Sequence, residues 1–95
     1  SKEFVRSEMH VIAMYDIKEK RVGKVHKVFR KYLTWIQLSV FEGEISESKL
    51  ERLKLEVKEI IEADEDSVVF FELLYPSRFK KSFVGKEFDP FDNIL

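Results

Sequence analysis

Met9-His10-Val11-Ile12-Ala13-Met14-Tyr15, closed by Asp16, is a run that is apolar on both of its alternating faces. That is the pattern of a strand in the middle of a sheet, where neither face meets bulk water. The period then changes. Between Lys18 and Tyr32 the apolar residues Val22, Val25, Phe29 and Tyr32 recur at three- and four-residue intervals, which places them on one face of a helix. Thr34 to Ile45 is β-branched and aromatic with alternation, and reads as one or two strands. The pattern leaves the position of the turn open and makes Gly43 a candidate bulge. Ser48-Lys49-Leu50-Glu51 has the spacing of a capping box, after which Leu50, Leu53, Val57, Ile60 and Ile61 form a second helical stripe. Asp64-Glu65-Asp66 interrupts that stripe. Ser67 to Tyr75 is a strongly apolar strand stopped by Pro76, and Phe79 to Val84 is a candidate further strand before the tail Phe88 to Leu95.

Strand, helix, strand or strands, helix, strand is the order of an α+β, ferredoxin-like βαββαβ antiparallel sheet with helices on one face, here with an added C-terminal strand. Ser1 to Glu8 show no periodicity and are expected to be an extension or expression remnant, leaving residues 9–95 as a single domain. A chain this short buries only somewhat more than roughly 60% of its unfolded surface. Helices on one face would leave the other face apolar and bare. A second copy is the most economical cover, so a homodimer is expected.

The composition, 44% hydrophobic with nine Phe, three Gly and two Pro, excludes a disordered chain. No cysteine is present, which excludes disulfides and thiolate metal sites and fits a reducing cytoplasm, the expected location. The longest apolar runs are about five residues against the roughly 18 of a membrane span. A net charge of −1 argues against a uniformly basic nucleic-acid binder, but it hides an asymmetry. Lys18 to Lys31 hold seven Lys/Arg and one Glu, whereas Glu42 to Asp66 hold ten Asp/Glu and four Lys/Arg. At 100° per residue Lys20, Lys24, Lys27 and Lys31 fall in one stripe opposite the apolar face of the first helix. A stripe of this kind is either a solvated face or a phosphate contact, and the absence of interleaved acids favours the phosphate. Arg21 and Arg78 join it as nucleic-acid-binding candidates, with Arg30, Lys80 and Lys81 beyond them.

Asp16 is the carboxylate to single out, because it ends an apolar strand where a helix begins. Spacing alone makes it an N-cap. Tyr15 and Phe41 are expected at the dimer interface, and Trp35 in the core or that interface, rather than stacked on bases. His10 and His26 lack ligand spacing and receive no role. Asp64-Glu65-Asp66 is expected to be a solvated helix terminus rather than a metal cluster. No Ser-His-Asp or Cys-His set and no phosphate-cradling Gly loop is visible.

Val11-Ile12-Ala13-Met14-Tyr15-Asp16-Ile17, Trp35-Ile36-Gln37-Leu38-Ser39-Val40-Phe41-Glu42-Gly43-Glu44 and Glu65-Asp66-Ser67-Val68-Val69-Phe70, together with the Asn-Ile-Leu ending, resemble the signature blocks of the CRISPR-associated protein two family in the family's order. The resemblance implies a homodimer whose last strand packs on the partner's sheet. It implies an adaptor that bridges two dimers of the CRISPR integrase and holds double-stranded DNA during spacer acquisition. It also implies a magnesium-dependent endonuclease acting on single-stranded RNA or double-stranded DNA. Under it Asp16 becomes a catalytic carboxylate and a Mg2+ ligand, one from each subunit. The alternative is a toxin-like, metal-dependent endoribonuclease rather than an adaptor. One departure stands out: where many members carry Arg, two positions before Gln37, this chain has Trp35.

Overall fold

The computed structural model describes residues 8–74 and 80–85 of the 95. Six elements occur in the order β1 (Glu8–Asp16), α1 (Glu19–Tyr32), β2 (Thr34–Gln37), β3 (Val40–Ser46), α2 (Glu47–Ile60) and β4 (Ser67–Leu73). The sheet order is β2-β3-β1-β4, with each neighbouring pair antiparallel. This is the ferredoxin-like α+β arrangement read from the sequence. β1, apolar on both faces, has a hydrogen-bonded neighbour on each side.

Antiparallel register sorts the side chains. Met9, Val11 and Ala13 of β1, with Phe41 and Ile45 of β3, are buried in one cluster with Val25 and Phe29 of α1 and Leu50, Leu53 and Val57 of α2. Both helices therefore cover the same sheet face. Within it Phe29 stacks on Phe41 with centroids 5.1 Å apart and lies 5.5 Å from Tyr15 and 6.0 Å from Phe70. Phe41 has no exposed surface. Its assignment to a dimer interface is thereby corrected: its own chain surrounds it because β3 turns it toward the helices. Tyr15 is half-buried against the same cluster.

Local signals differ from expectation at three places. Helix α2 is capped by Ser46, whose hydroxyl accepts the Lys49 amide at 3.2 Å, not by Ser48. Strand β3 runs straight into the helix, so its last residue is the cap. The irregularity in the β2–β3 hairpin falls between Trp35 and Gln37 rather than at Gly43. Gly43 is instead a close approach, since a Cβ there would lie 3.3 Å from Leu33 Cδ2. The hairpin turns at Leu38, which is 79% exposed and has φ of 42°. Left-handed backbone costs a branched residue roughly 1–2 kcal/mol.

On the opposite face, residues 80–85 carry no strand, so the part of the expected C-terminal strand that is described is irregular. Lys80, Lys81 and Ser82 line a groove there with Ile12, Ile36, Val40 and Glu42. The face is thus partly covered by its own chain, while Val69 and Phe71 of β4 stay 44% and 48% exposed. Phe79, Arg78, Tyr75 and the tail from residue 86 lie outside the described residues. No helix among the described residues is long and apolar enough to cross a membrane.

Candidate nucleic-acid and metal site

Asp16 is the last residue of β1 and pairs with Ser67, the first residue of β4. It is exposed, and among the described residues no hydrogen bond or ion pair holds its carboxylate. The N-cap reading is corrected: α1 is capped by Lys18, with no side-chain cap bond. Asp16 is therefore an uncommitted hard oxygen donor at the end of a strand paired on both sides. Among the described residues of one chain, no group of three His, Asp or Glu side chains could hold a metal. Mg2+ commonly keeps several waters and takes one or two carboxylates. The donor chemistry of Asp16 fits that ion when a second copy supplies a second carboxylate.

The corner that follows Asp16 is built by a residue the sequence reading misjudged. Asp66, expected to be solvated, is buried at 6% exposure. Its Oδ1 accepts the Lys18 amide at 2.8 Å and Arg21 Nη2 at 3.2 Å, and its Oδ2 accepts Arg21 Nε at 2.6 Å and the Glu62 amide at 2.9 Å. Four donors on one carboxylate join the β1–α1 corner to the turn before β4. The Arg21 guanidinium holds the Asp66 carboxyl well below the usual carboxylate range, and the backbone bonds act in the same direction. Arg21 Nη2 also reaches Glu65 at 2.7 Å, and the two carboxylates keep Arg21 protonated far above ordinary pH. Its place among the phosphate contacts is corrected accordingly, because its planar fork is occupied internally. The Glu62 amide is four residues away, but the Lys18 amide and the Arg21 guanidinium, 48 and 45 positions away, meet Asp66 only when β4 docks beside β1, so the local sequence does not reveal this role.

The lysine stripe divides in two. Lys20, Lys24 and Lys27 are exposed on α1 and have no ion-pair partner among the described residues. Lys31 is bound to Glu56 at 2.6 Å, and the Tyr32 hydroxyl donates to the same carboxylate. Glu56 is held below its usual range by those two bonds, Lys31 first. Arg30 lies over the Trp35 ring, 5.6 Å from its centroid. The position that departs from the family pattern thus carries a cation on its face, delivered from the neighbouring helix. Arg78 is outside the described residues. Lys80 is exposed, and Lys81 is bound to Glu42.

Both histidines have partners. His26 Nδ1 is hydrogen-bonded to the Tyr15 hydroxyl at 3.0 Å, and its ring packs edge-on to Trp35 at 4.4 Å. Burial, then the Arg30 charge, pushes the His26 pKa down, and burial pushes Tyr15 up. His10 Nε2 donates to Glu42 at 3.1 Å on the helix-free face. Burial pushes the Glu42 carboxyl up, but the bonds from Lys81 and His10 outweigh it and leave its pKa below the ordinary value.

Comparison with known proteins places this geometry in a family. The profile of the family described as "CRISPR associated protein Cas2" matches residues 9–81. "CRISPR-associated endoribonuclease Cas2 3" of Thermodesulfovibrio yellowstonii is 45% identical over 86 residues, 90% of this chain and 98% of that protein. The protein named "CRISPR-associated endoribonuclease Cas2" of Thermotoga maritima is 57% identical over 63 residues, 66% of this chain and 72% of that one. A solved structure described as "Crystal structure of cas2" superposes with a TM-score of 0.78 at 40% identity, covering 94% of this chain and all of that one. The Cas2 of Streptococcus pyogenes superposes at 0.68 with 26% identity, over 80% of this chain and all of the other. The signature blocks around Asp16, Gln37 to Gly43 and Asp66, the β2-β3-β1-β4 sheet and these matches agree, and the chain belongs to the Cas2 family of CRISPR-associated proteins.

Proposed function

We propose that this protein is a CRISPR adaptation protein, a homodimer that bridges the CRISPR integrase and holds double-stranded DNA during spacer integration. The observation that carries the reading is the row Lys20, Lys24 and Lys27, exposed and unpaired among the described residues on the outer face of α1 of a Cas2-family chain. Cations at one-turn spacing on a rigid helix suit a phosphate backbone, and binding of this type falls steeply with salt. Arg30 over Trp35 extends the basic surface, and Lys80, on the helix-free face, and Arg78 are further candidates. The apolar patch of Val69 and Phe71 supplies a surface for the second copy.

A second reading, a metal-dependent endonuclease on single-stranded RNA, is favoured by the name endoribonuclease that the relatives carry. Asp16 from each subunit would then hold Mg2+, with water filling the remaining positions. The bound ion would supply water activation and charge neutralisation at the phosphodiester. Asp16 binds and orients, and the lysine row holds the strand. Purified wild type and Asp16→Asn, assayed side by side for Mg2+-dependent cleavage and for spacer integration, separate the two. The adaptor reading expects integration to survive the substitution while cleavage falls by orders of magnitude. Integration lost with cleavage in an intact dimer would assign the metal site to both. For duplex binding, Lys20→Ala, Lys24→Ala and Lys27→Ala together should reduce the salt slope by about 0.9 for each phosphate that is no longer neutralised. An unchanged slope and affinity would make the row a solvated face.

A further inference from the structure

Asp66 is more elaborately built than a surface turn requires. Its side chain is completely enclosed, and both oxygens are taken by pairs of donors from three separate places: the Lys18 amide, the Glu62 amide and the Arg21 guanidinium. Two of these donors fix the turn to the helix. The third, the Lys18 amide, is a donor that the start of α1 leaves without an intrahelical partner, and it lies two residues after Asp16.

The chain leaving β1 is thus held at two points. Asp16 is set by its pairing with Ser67, and Lys18 by the carboxylate of Asp66, the residue immediately before Ser67. Between them lies Ile17 alone. This is a short two-point clamp across adjacent strands, and it fixes the backbone from which the Asp16 carboxylate projects. We infer that Asp66, locked by Arg21, is the positioning residue for Asp16, fixing the backbone from which its carboxylate is presented to a metal ion. The inference rests on the reading of Asp16 as a metal ligand.

The chemistry of an amide in place of this carboxylate makes the test specific. All four groups around Asp66 are donors, and an asparagine offers one oxygen and one NH2. In one orientation it meets the Lys18 amide with oxygen and abandons Glu62, and in the other it does the reverse. Either way the corner loses a tie and gains an opposed donor. Groups hydrogen-bonded directly to a metal ligand typically contribute about 10–100-fold in metal affinity, and Asp66, acting through the backbone at Lys18, belongs at the lower end of that range.

The experiment is Mn2+ titration of the full-length protein without nucleic acid, read by calorimetry and by broadening of the Asp16 and Ser67 amide signals. It uses wild type, Asp16→Asn, Asp66→Asn, Arg21→Lys and the core variant Val57→Ala, chosen to lose melting temperature without touching the corner. The expected result is that Asp16→Asn abolishes binding and Asp66→Asn raises the dissociation constant about tenfold or more. Arg21→Lys, which cannot span both Asp66 oxygens, should weaken it less, and Val57→Ala should leave it unchanged. Should Asp66→Asn prove too unstable to titrate, Arg21→Lys against Val57→Ala decides the matter in the same way. Binding that Asp16→Asn abolishes but Asp66→Asn and Arg21→Lys leave intact overturns the positioning role while sparing Asp16. Equal weakening in Val57→Ala overturns it too, by tracing the effect to global stability. Absence of Mn2+ binding to wild type, or binding that survives Asp16→Asn, sinks the metal-ligand reading itself and the inference with it.

Discussion

The two faces of the sheet are solved by different physics. On the helix side, alternate residues of β1 and β3 meet two amphipathic helices, and Phe29, Phe41, Leu53 and Val11 are enclosed in an apolar, aromatic interior. On the other side the cover is a short irregular segment of the same chain. There the groups brought together are Glu42, His10 and Lys81, and Val69 and Phe71 remain about half exposed. The first face is complete within one chain. The second is anchored by a buried carboxylate, and its apolar remainder is left for a partner. The contrast shows why one strand pattern, apolar on both faces, gives a fold on one side and an interface candidate on the other.

The largest effect should come from the completed face. Phe29→Ala removes a ring that touches Tyr15, Phe41 and Phe70, and should cost about 3–5 kcal/mol in urea denaturation, with little dependence on protein concentration. On the other face, Phe71→Lys should act through association. It should bring sedimentation from about twice the monomer mass toward the monomer, with a loss of about 2 kcal/mol or more in association free energy. A Phe71→Lys protein that stays dimeric would move the interface elsewhere.

Acid should separate the faces next. Glu42 and Asp66 both have pKa values below their ordinary ones, so each adds stability above the unfolded carboxyl range and loses it as pH falls through the folded value. Asp66, bound by a guanidinium and two amides, is held lower, so its corner should outlast the Glu42 anchor on descent below pH of about 4. Melting temperature followed against pH should therefore fall in two stages, and Glu42→Gln should remove the earlier one. A single coincident stage in wild type would mean that the two anchors do not act separately. The smallest effect belongs to the hairpin between β2 and β3. Leu38→Gly, which relieves the left-handed φ of 42° at an exposed site, should raise stability by up to about 1 kcal/mol in thermal unfolding.

Much of the candidate site was legible because its proposed members announce themselves locally. Asp16 ends an apolar run, and Lys20, Lys24 and Lys27 share a helix face at a fixed period. Their exposure follows from the same period that buries Val25 and Phe29. Arg21 and Lys31 read identically in sequence, yet each is bound to a carboxylate more than twenty positions away. Helical geometry assigns a direction to a side chain but says nothing about which distant acid will be waiting there.

The sequence by itself determined the α+β class, the order of six elements, the helix faces and the family, since these depend on periodicity and on residues contiguous in the chain. The register that sets Asp16 opposite Ser67, the burial of Asp66 among four donors and the enclosure of Phe41 were decided only by the tertiary structure. So was the delivery of Lys81 to Glu42 across 39 positions. Each joins segments far apart in the chain, and no local preference of the backbone encodes which of them will meet when the sheet closes beneath its helices.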